Sequence, residues 1–179
     1  VKRCVKVKTS LTFPPKDVNI KEGLLLSTQL EMAKAGIVTP EMRIVAGKEG
    51  LSPESVRCLV AEGKAVIPKN VNHEIKHVKA IGKGLSTKVN ANLGTSDECS
   101  NLELEGKKLQ AAVAAGTDSI MDLSTGGDLD AIRSFFLERS PVMVGTVPIY
   151  SLATQMLRNG KPLKQLDADD LFSSIEKQC

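Results

Sequence analysis

The 179-residue chain is long enough for one well-buried domain and too short for two of ordinary size. A net charge of only +3 and an aromatic content of 3%, with no Trp, argue against a nucleic-acid partner, because such partners are bound by dense positive charge and aromatic stacking. No apolar run approaches the ~20 residues that a membrane-spanning helix needs, so no membrane partner is expected.

Residues 1–27 are expected to form a poorly anchored lead-in. Val1 to Ser10 alternates basic and apolar residues, so it lacks the continuous apolar core of a signal peptide. Phe13-Pro14-Pro15 then breaks any regular structure that precedes it.

The cysteine content indicates a reducing compartment. The chain has four cysteines, namely Cys4, Cys58, Cys99 and Cys179. Their wide spacing suits neither a disulfide framework nor a structural zinc site, so we expect reduced thiols in a cytoplasmic protein.

Residues 28–63 are predicted to be helical. Leu30, Ala33 and Ile37 fall near one face of a helix that Gly36 ends. Two further helices begin at Thr39-Pro40-Glu41 and Ser52-Pro53-Glu54, each with a hydroxyl cap, a proline in the first position and an acid in the first turn. The residues expected to face inward from these two helices are Met42, Val45, Ala46, Val56, Leu59 and Val60.

From residue 64 onward, strand and helix patterns alternate. Apolar runs predict strands at residues 65–67, 87–93, 119–123 and 142–147. Helices are predicted over residues 102–115, 129–139 and 150–157, and from a cap at Asp167 to the last residue. The inward-facing residues predicted for the three longer helices are Leu102, Leu109, Val113, Leu129, Ile132, Phe136, Leu171, Phe172 and Ile175.

This alternation predicts an α/β fold with a parallel sheet, specifically the first four βα units of a (βα)₈ TIM barrel. The expected division is a lead-in over 1–27, a helical segment over 28–63 and half a barrel over 64–179. A complete barrel usually needs about 250 residues, and half a barrel leaves two unpaired sheet edges. The chain is therefore expected either to be part of a longer protein, which we favour, or to close against a second copy.

Three side chains occur at equal intervals near the ends of successive strands. Asn92, Met121 and Tyr150 are each 29 residues apart (121 − 92 and 150 − 121). Equivalent strand ends meet on one rim of a βα barrel, where ligands bind, so all three are candidates for a small-molecule site. The alternatives are core filling for Met121 and loop anchoring for Tyr150. Asn90 shares the strand parity of Asn92, and we expect a structural role for it.

Two other motifs have simpler explanations. His73-Glu74-Ile75-Lys76-His77 matches the zinc-protease pattern, but it directly follows a strand end and the chain has no third histidine. Ser124-Thr125-Gly126-Gly127-Asp128, beside the possible acid–base group Asp122, could hold an anion on free amides, although a tight βα turn with a helix cap is the commoner arrangement.

Several long motifs in the same order resemble the phosphomethylpyrimidine synthase family of radical S-adenosylmethionine enzymes. The matching stretches are residues 39–42, 65–68, 72–73, 88–94, 121–126 and 140–150. The resemblance extends from Thr28 to about Cys179 and leaves residues 1–27 outside it.

The resemblance implies a (βα)₈ barrel that converts 5-aminoimidazole ribonucleotide to 4-amino-5-hydroxymethyl-2-methylpyrimidine phosphate in thiamine biosynthesis, with formate and carbon monoxide released. It implies that Asn92, Met121 and Tyr150 contact the ribonucleotide. It also implies a carbon–carbon lyase that works as a homodimer with a [4Fe–4S] cluster, S-adenosylmethionine and a divalent metal such as zinc. The ligands for these groups are not in this chain, so the chain alone is expected to be inactive, and no catalytic or metal-binding residue is assigned.

Two alternatives stay open. The related 5-hydroxybenzimidazole synthase starts from the same ribonucleotide and is similar in sequence. A non-catalytic half-barrel that binds a nucleotide or a second copy of itself is the other possibility.

Overall fold

The computed structural model describes residues 28–70 and 73–178, so the expected lead-in over 1–27 lies outside the described residues. The described chain contains seven α-helices, a short 3₁₀ helix and five strands. They belong to two compact units. The first comprises the described residues up to Ile67 together with Ala80–Ser86, and the second comprises the described residues of Pro68–Lys79 and those from Thr87 onward.

The first unit is built from three helices and a small antiparallel ribbon. Its elements are α1 (Gln29–Lys34), α2 (Pro40–Glu49), α3 (Pro53–Ala61), β1 (Ala65–Val66) and β2 (Ile81–Gly82).

The helix starts in this unit are where the sequence predicts them. The hydroxyls of Thr28, Thr39 and Ser52 each accept a hydrogen bond from a backbone N–H of the first turn, which removes an otherwise unpaired donor. The inward-facing residues are confirmed for α2 and, apart from the half-buried Leu59, for α3. For α1 the prediction is wrong in part, because Leu30 and Ile37 are exposed. A helix of six residues buries little, in this case only Met32 and Ala33.

The strand predicted at residues 65–67 is present as β1, but the prediction that it belongs to the parallel sheet is wrong. β1 pairs antiparallel with β2, with Ala65 opposite Gly82. The chain returns to β1 at Gly82, whose backbone approaches so closely that a Cβ there would lie 2.3 Å from the Lys64 carbonyl oxygen. The backbone groups of β1 are therefore satisfied by its own unit, and the described chain has three parallel strands instead of four.

The second unit contains the parallel sheet. Its elements are β3 (Asn90–Leu93), α4 (Leu102–Ala114), β4 (Ser119–Asp122), α5 (Leu129–Arg139), β5 (Met143–Thr146), α6 (Pro148–Arg158), a 3₁₀ helix (Leu163–Gln165) and α7 (Ala168–Gln178). The strands lie in the order β3-β4-β5, and both pairings are parallel. This confirms an α/β fold with a parallel sheet, although the described residues form an open three-stranded sheet and no closed barrel.

Helices α4 and α5 cover one face of this sheet. The core on that face consists of Leu93, Leu109, Ile120, Leu129, Ile132, Phe136 and Val142. The inward-facing residues of α5 are confirmed, as is Leu109 of α4, whereas Leu102 is exposed because it lies in the first turn of α4.

The prediction that the last helix buries its apolar residues is wrong. Phe172 of α7 is 66% exposed, and α7 has no buried residue. Ile175 is also exposed, whereas Leu171 is half-buried. Ser174 Oγ of α7 donates a hydrogen bond to the Pro148 carbonyl oxygen in the first turn of α6. Among the described residues, no helix is both long enough and apolar enough to cross a membrane.

Two buried carboxylates accept hydrogen bonds from backbone N–H groups on either side of β3. Glu105 of α4 is fully buried, accepts the Gly94 N–H at 3.0 Å and pairs with Lys108. Asp118, just before β4, accepts the Val89 N–H at 2.8 Å and pairs with Lys79 at 2.8 Å. Both carboxylates thereby satisfy backbone donors beside β3.

The environment of Asp118 favours its charged form. Burial alone would raise the pKa of Asp118, but the hydrogen bonds from Lys79 and from the Val89 N–H, together with the charges of Lys79 and Lys88, outweigh burial and hold the pKa below its ordinary value. A carboxylate with a lowered pKa stabilises the folded state above its unfolded-state pKa of about 4. That contribution is lost as the pH falls through the folded-state value.

We expect Asp118→Asn to lower the free energy of unfolding by about 1–3 kcal/mol at neutral pH, because the charged acceptor of the Val89 N–H is lost. This loss of stability should shrink as the pH is lowered below about 5, because the parent carboxylate then becomes protonated as well. Urea unfolding followed by circular dichroism measures both quantities. Glu98→Gln, at an exposed carboxylate, is the matched control, and a deficit that is the same at every pH would contradict this explanation.

Candidate functional site

The face of the parallel sheet opposite α4 and α5 carries polar side chains. Successive residues of a strand point to opposite faces, so Asn90 and Asn92 point away from the helix-packed core that contains Leu93. The register places Asn90 opposite Ser119 and Asn92 opposite Met121. Two members of the predicted triad, Asn92 and Met121, are therefore direct neighbours on one face.

Three of these side chains are joined by hydrogen bonds. The Ser119 hydroxyl donates to Asn90 Oδ1 at 2.9 Å, and Asn90 Nδ2 donates to Asn92 Oδ1 at 2.9 Å. The structural role expected for Asn90 is consistent with this placement, because its carboxamide bridges the two strands. The Nδ2 group of Asn92 has no hydrogen-bond partner within the described part of the chain, and the residue is exposed.

Met121 occupies space that the lack of a side chain at Gly145 provides. Gly145 on β5 is the register partner of Met121. A Cβ built on Gly145 would lie 3.0 Å from Met121 Sδ and 3.1 Å from its Cε, closer than ordinary van der Waals contact. Met121 is half-buried, so its thioether lies along the polar face without being sealed inside the core.

Tyr150 lies just beyond the sheet. It belongs to the first turn of α6, where Pro148 is the first helical residue, and its backbone N–H donates to the Val147 carbonyl oxygen. Its side chain is 48% exposed. The structure thus brings Asn92 and Met121 side by side and places Tyr150 in the helix that follows β5, close in sequence to the strand end.

The loop that follows β4 is a tight turn without free amides at its start. The Ser124 N–H donates to Asp122 Oδ1 at 3.0 Å, and the Thr125 N–H donates to the Thr95 carbonyl oxygen at 2.9 Å. A Cβ on Gly126 would lie 2.1 Å from the backbone of Ser96, so this turn and the turn after β3 are in close contact.

Asp122 and Asp128 both have structural contacts in the segment 122–128. Asp122 is buried on the helix-covered side of the sheet, where it orients the turn and does not face the polar side. The Asp128 carboxylate accepts the Asp130 and Ala131 N–H groups and caps α5. The start of the segment is therefore a tight turn and its end caps α5, as the simpler interpretation expects.

The histidine motif does not have the geometry of a zinc protease. The described residues from His73 to His77 form no helix, so the two histidines do not share a helical turn. His73 Nε2 lies 3.0 Å from the Ser140 carbonyl oxygen, and the His77 N–H donates to the Pro141 carbonyl oxygen. Both residues join this loop to the segment that leads into β5.

Sequence reasoning did not identify Ser119 or Gly145 as part of this face. A signal for Ser119 was available, because it follows Asn90 by 29 residues (119 − 90), the same spacing that relates Met121 to Asn92. Gly145 has no such signal, since only the register of β5 shows that it lies beside Met121.

Comparison with known sequences identifies the family. A sequence model of the Radical SAM ThiC family matches residues 28–179, most of the chain. The chain belongs to this family of radical S-adenosylmethionine enzymes.

Several relatives of similar sequence carry the same name. The chain is 52% identical over 152 residues to the phosphomethylpyrimidine synthases of Desulfitobacterium hafniense and Carboxydothermus hydrogenoformans. It is 48% identical over 150 residues to that of Pyrococcus abyssi. These matches cover 85% or 84% of this chain but 35% of each relative, so the chain spans about a third of the relatives' length.

The family implies a [4Fe–4S] cluster and S-adenosylmethionine, but the described residues do not fit the cluster. Such clusters are held by several cysteine thiolates. The described residues contain two cysteines, Cys58 and Cys99, which belong to different units. These residues also contain no group of three or more His, Cys, Asp or Glu side chains that could hold a metal ion.

We expect Gly145→Ala to displace the Met121 thioether while leaving the sheet intact, because the new Cβ would be too close only to the flexible end of a side chain, and the nearest backbone atom, the Ile120 carbonyl oxygen, would be at an ordinary contact distance. The ¹³C-methyl resonance of Met121 should shift, whereas those of Met32 and Met42 in the other unit should not. Gly47→Ala is the control, since no atom lies within 4 Å of a Cβ there. An unchanged Met121 resonance in Gly145→Ala would show that the two residues are not in contact.

Proposed function

We propose that this chain supplies one wall of the ribonucleotide pocket of a phosphomethylpyrimidine synthase. Such an enzyme converts 5-aminoimidazole ribonucleotide to 4-amino-5-hydroxymethyl-2-methylpyrimidine phosphate in thiamine biosynthesis. Membership in the Radical SAM ThiC family and the shared name of the relatives support this proposal. The related benzimidazole synthase and the non-catalytic half-barrel gain no support from these comparisons.

One structural observation carries the placement of the pocket. Asn92 and Met121 lie side by side on the sheet face opposite helices α4 and α5. Gly145, the register partner of Met121, has no side chain and leaves room beside them. A hydrogen-bonding amide next to a half-buried thioether suits a ligand that combines a polar sugar phosphate with a flat heterocycle. We assign substrate binding to Asn92, Met121 and, from the helix after β5, Tyr150.

The wider architecture in this proposal is a (βα)₈ barrel. A parallel sheet with helices on one face and polar side chains on the other resembles a section of barrel wall, in which the polar face lines the interior. The domain division proposed from the sequence, with a helical segment over 28–63 followed by half a barrel over 64–179, is kept as part of this hypothesis.

The proposal assigns the radical chemistry to groups that the described residues do not hold. The [4Fe–4S] cluster and S-adenosylmethionine would supply the radical, and the residues of this chain would bind and orient the ribonucleotide. A carbon–carbon lyase that acts as a cytoplasmic homodimer with a zinc ion completes the hypothesis. On this account the 179-residue chain is inactive by itself.

The identity of the product tests the proposed reaction. We expect the natural gene product that contains this sequence, reconstituted without oxygen, to convert 5-aminoimidazole ribonucleotide and S-adenosylmethionine to the pyrimidine phosphate. Mass spectrometry of the reaction mixture gives the product directly. A benzimidazole product, or no conversion of the ribonucleotide by a protein with a full cluster content, would contradict the proposal.

Substitutions test the assigned residues in the same gene product. We expect Met121→Ala and Tyr150→Phe each to raise the KM for the ribonucleotide about fivefold, because each removes about 1 kcal/mol of ligand contact. Lys107→Ala, at an exposed residue of α4, is the control and should leave KM unchanged. Steady-state kinetics provides the measurement, and unchanged KM values for both variants would place the ribonucleotide elsewhere.

A further inference from the structure

The hydrogen bonds on the polar face of the sheet all run in one direction. Ser119 donates its hydroxyl hydrogen to Asn90 Oδ1, and Asn90 donates an amide hydrogen to Asn92 Oδ1. The side-chain oxygen of Asn90 therefore accepts a hydrogen bond from Ser119, and the side-chain oxygen of Asn92 accepts one from Asn90. At the end of this relay, which we define as Ser119, Asn90 and Asn92, the unused group is the Nδ2 amino group of Asn92.

This direction determines what Asn92 can offer to a ligand. A carboxamide has a carbonyl oxygen that accepts and an amino group that donates. If the relay ran the other way, Asn92 would donate to Asn90 and present its oxygen instead. In the observed direction the oxygen already accepts one hydrogen bond, whereas the N–H groups of Asn92 donate none within the described residues, so they are the groups offered to an incoming molecule.

The register of the sheet fixes the relay in place. Ser119 is directly opposite Asn90 across the β3–β4 pair, and Asn90 and Asn92 are on the same face of one strand. Three side chains on a rigid sheet hold one another, which lowers the conformational entropy that Asn92 loses when a ligand binds. In a pocket shielded from water these bonds would also be stronger than on an open surface.

We propose that Ser119 and Asn90 are positioning residues that turn the Asn92 carboxamide so that its amino group donates to the bound ribonucleotide. This inference rests on the proposed function, in which Asn92 contacts that ligand. The matching atoms are hydrogen-bond acceptors of the ribonucleotide, whose phosphate and ribose are rich in oxygen. An outward-facing carbonyl oxygen would instead be repelled by the negative charge of the phosphate.

Equilibrium binding of 5-aminoimidazole ribonucleotide tests the relay without requiring turnover. The measurement uses the natural gene product that contains this sequence, prepared without its cluster, and isothermal titration calorimetry. We expect Kd to rise about tenfold in Asn92→Ala, about fivefold in Asn90→Ala and about threefold in Ser119→Ala. Ser119→Thr keeps the hydroxyl and should bind within about twofold of the parent protein.

A double-mutant cycle separates positioning from a general structural role. If Ser119 and Asn90 act through Asn92, then Ser119→Ala and Asn90→Ala should each change Kd by less than about twofold in the Asn92→Ala background. Undiminished effects in that background, or parent-like binding by Ser119→Ala, would overturn the inference. Parent-like binding by Asn92→Ala would overturn the proposed binding role of Asn92 itself, so the two failures are distinguishable.

Discussion

The register of the parallel strands is the constraint on which the candidate site depends. Pairing of β3 with β4 and of β4 with β5 aligns Asn92, Met121 and Gly145 across the sheet. A slip of one residue in the pairing of β3 with β4 would turn Asn90 and Asn92 into the helix-packed core and Leu93 out of it. The burial of Ile120 and Leu93 against α4 and α5 therefore fixes the position of the site as well as the fold.

The turns at the strand ends hold this register. Thr95 donates its hydroxyl to the Gly126 carbonyl oxygen, and its N–H donates to Ser124 Oγ, so the segments after β3 and β4 are joined. Glu105 binds the Gly94 N–H from the helix side, and Asp118 binds the Val89 N–H at the opposite end of β3. Buried polar groups thus fasten both ends of the strand that carries Asn92, while its exposed side remains available for binding.

Features that depend on neighbouring residues in the chain, such as helix starts and the buried face of a helix, are predictable from the sequence. Capping residues locate the helix starts at Thr39 and Ser52, and the helical period identifies Ile132 and Phe136 as core. The pairing of β1 is not predictable in this way, because it depends on a backbone approach at a distant glycine. For the site, the equal spacing identifies Asn92 and Met121 as neighbours. The relay through Ser119 and the space at Gly145 require the register and the side-chain geometry.

A crystal structure of the natural gene product with bound 5-aminoimidazole ribonucleotide tests the central claim most directly. The account predicts that the ligand lies on the sheet face that carries Asn92 and Met121, with the Asn92 amino group within hydrogen-bond distance of a ligand acceptor and the relay from Ser119 intact. A ribonucleotide bound elsewhere, or an Asn92 side chain that turns its carbonyl oxygen towards the ligand, would contradict it.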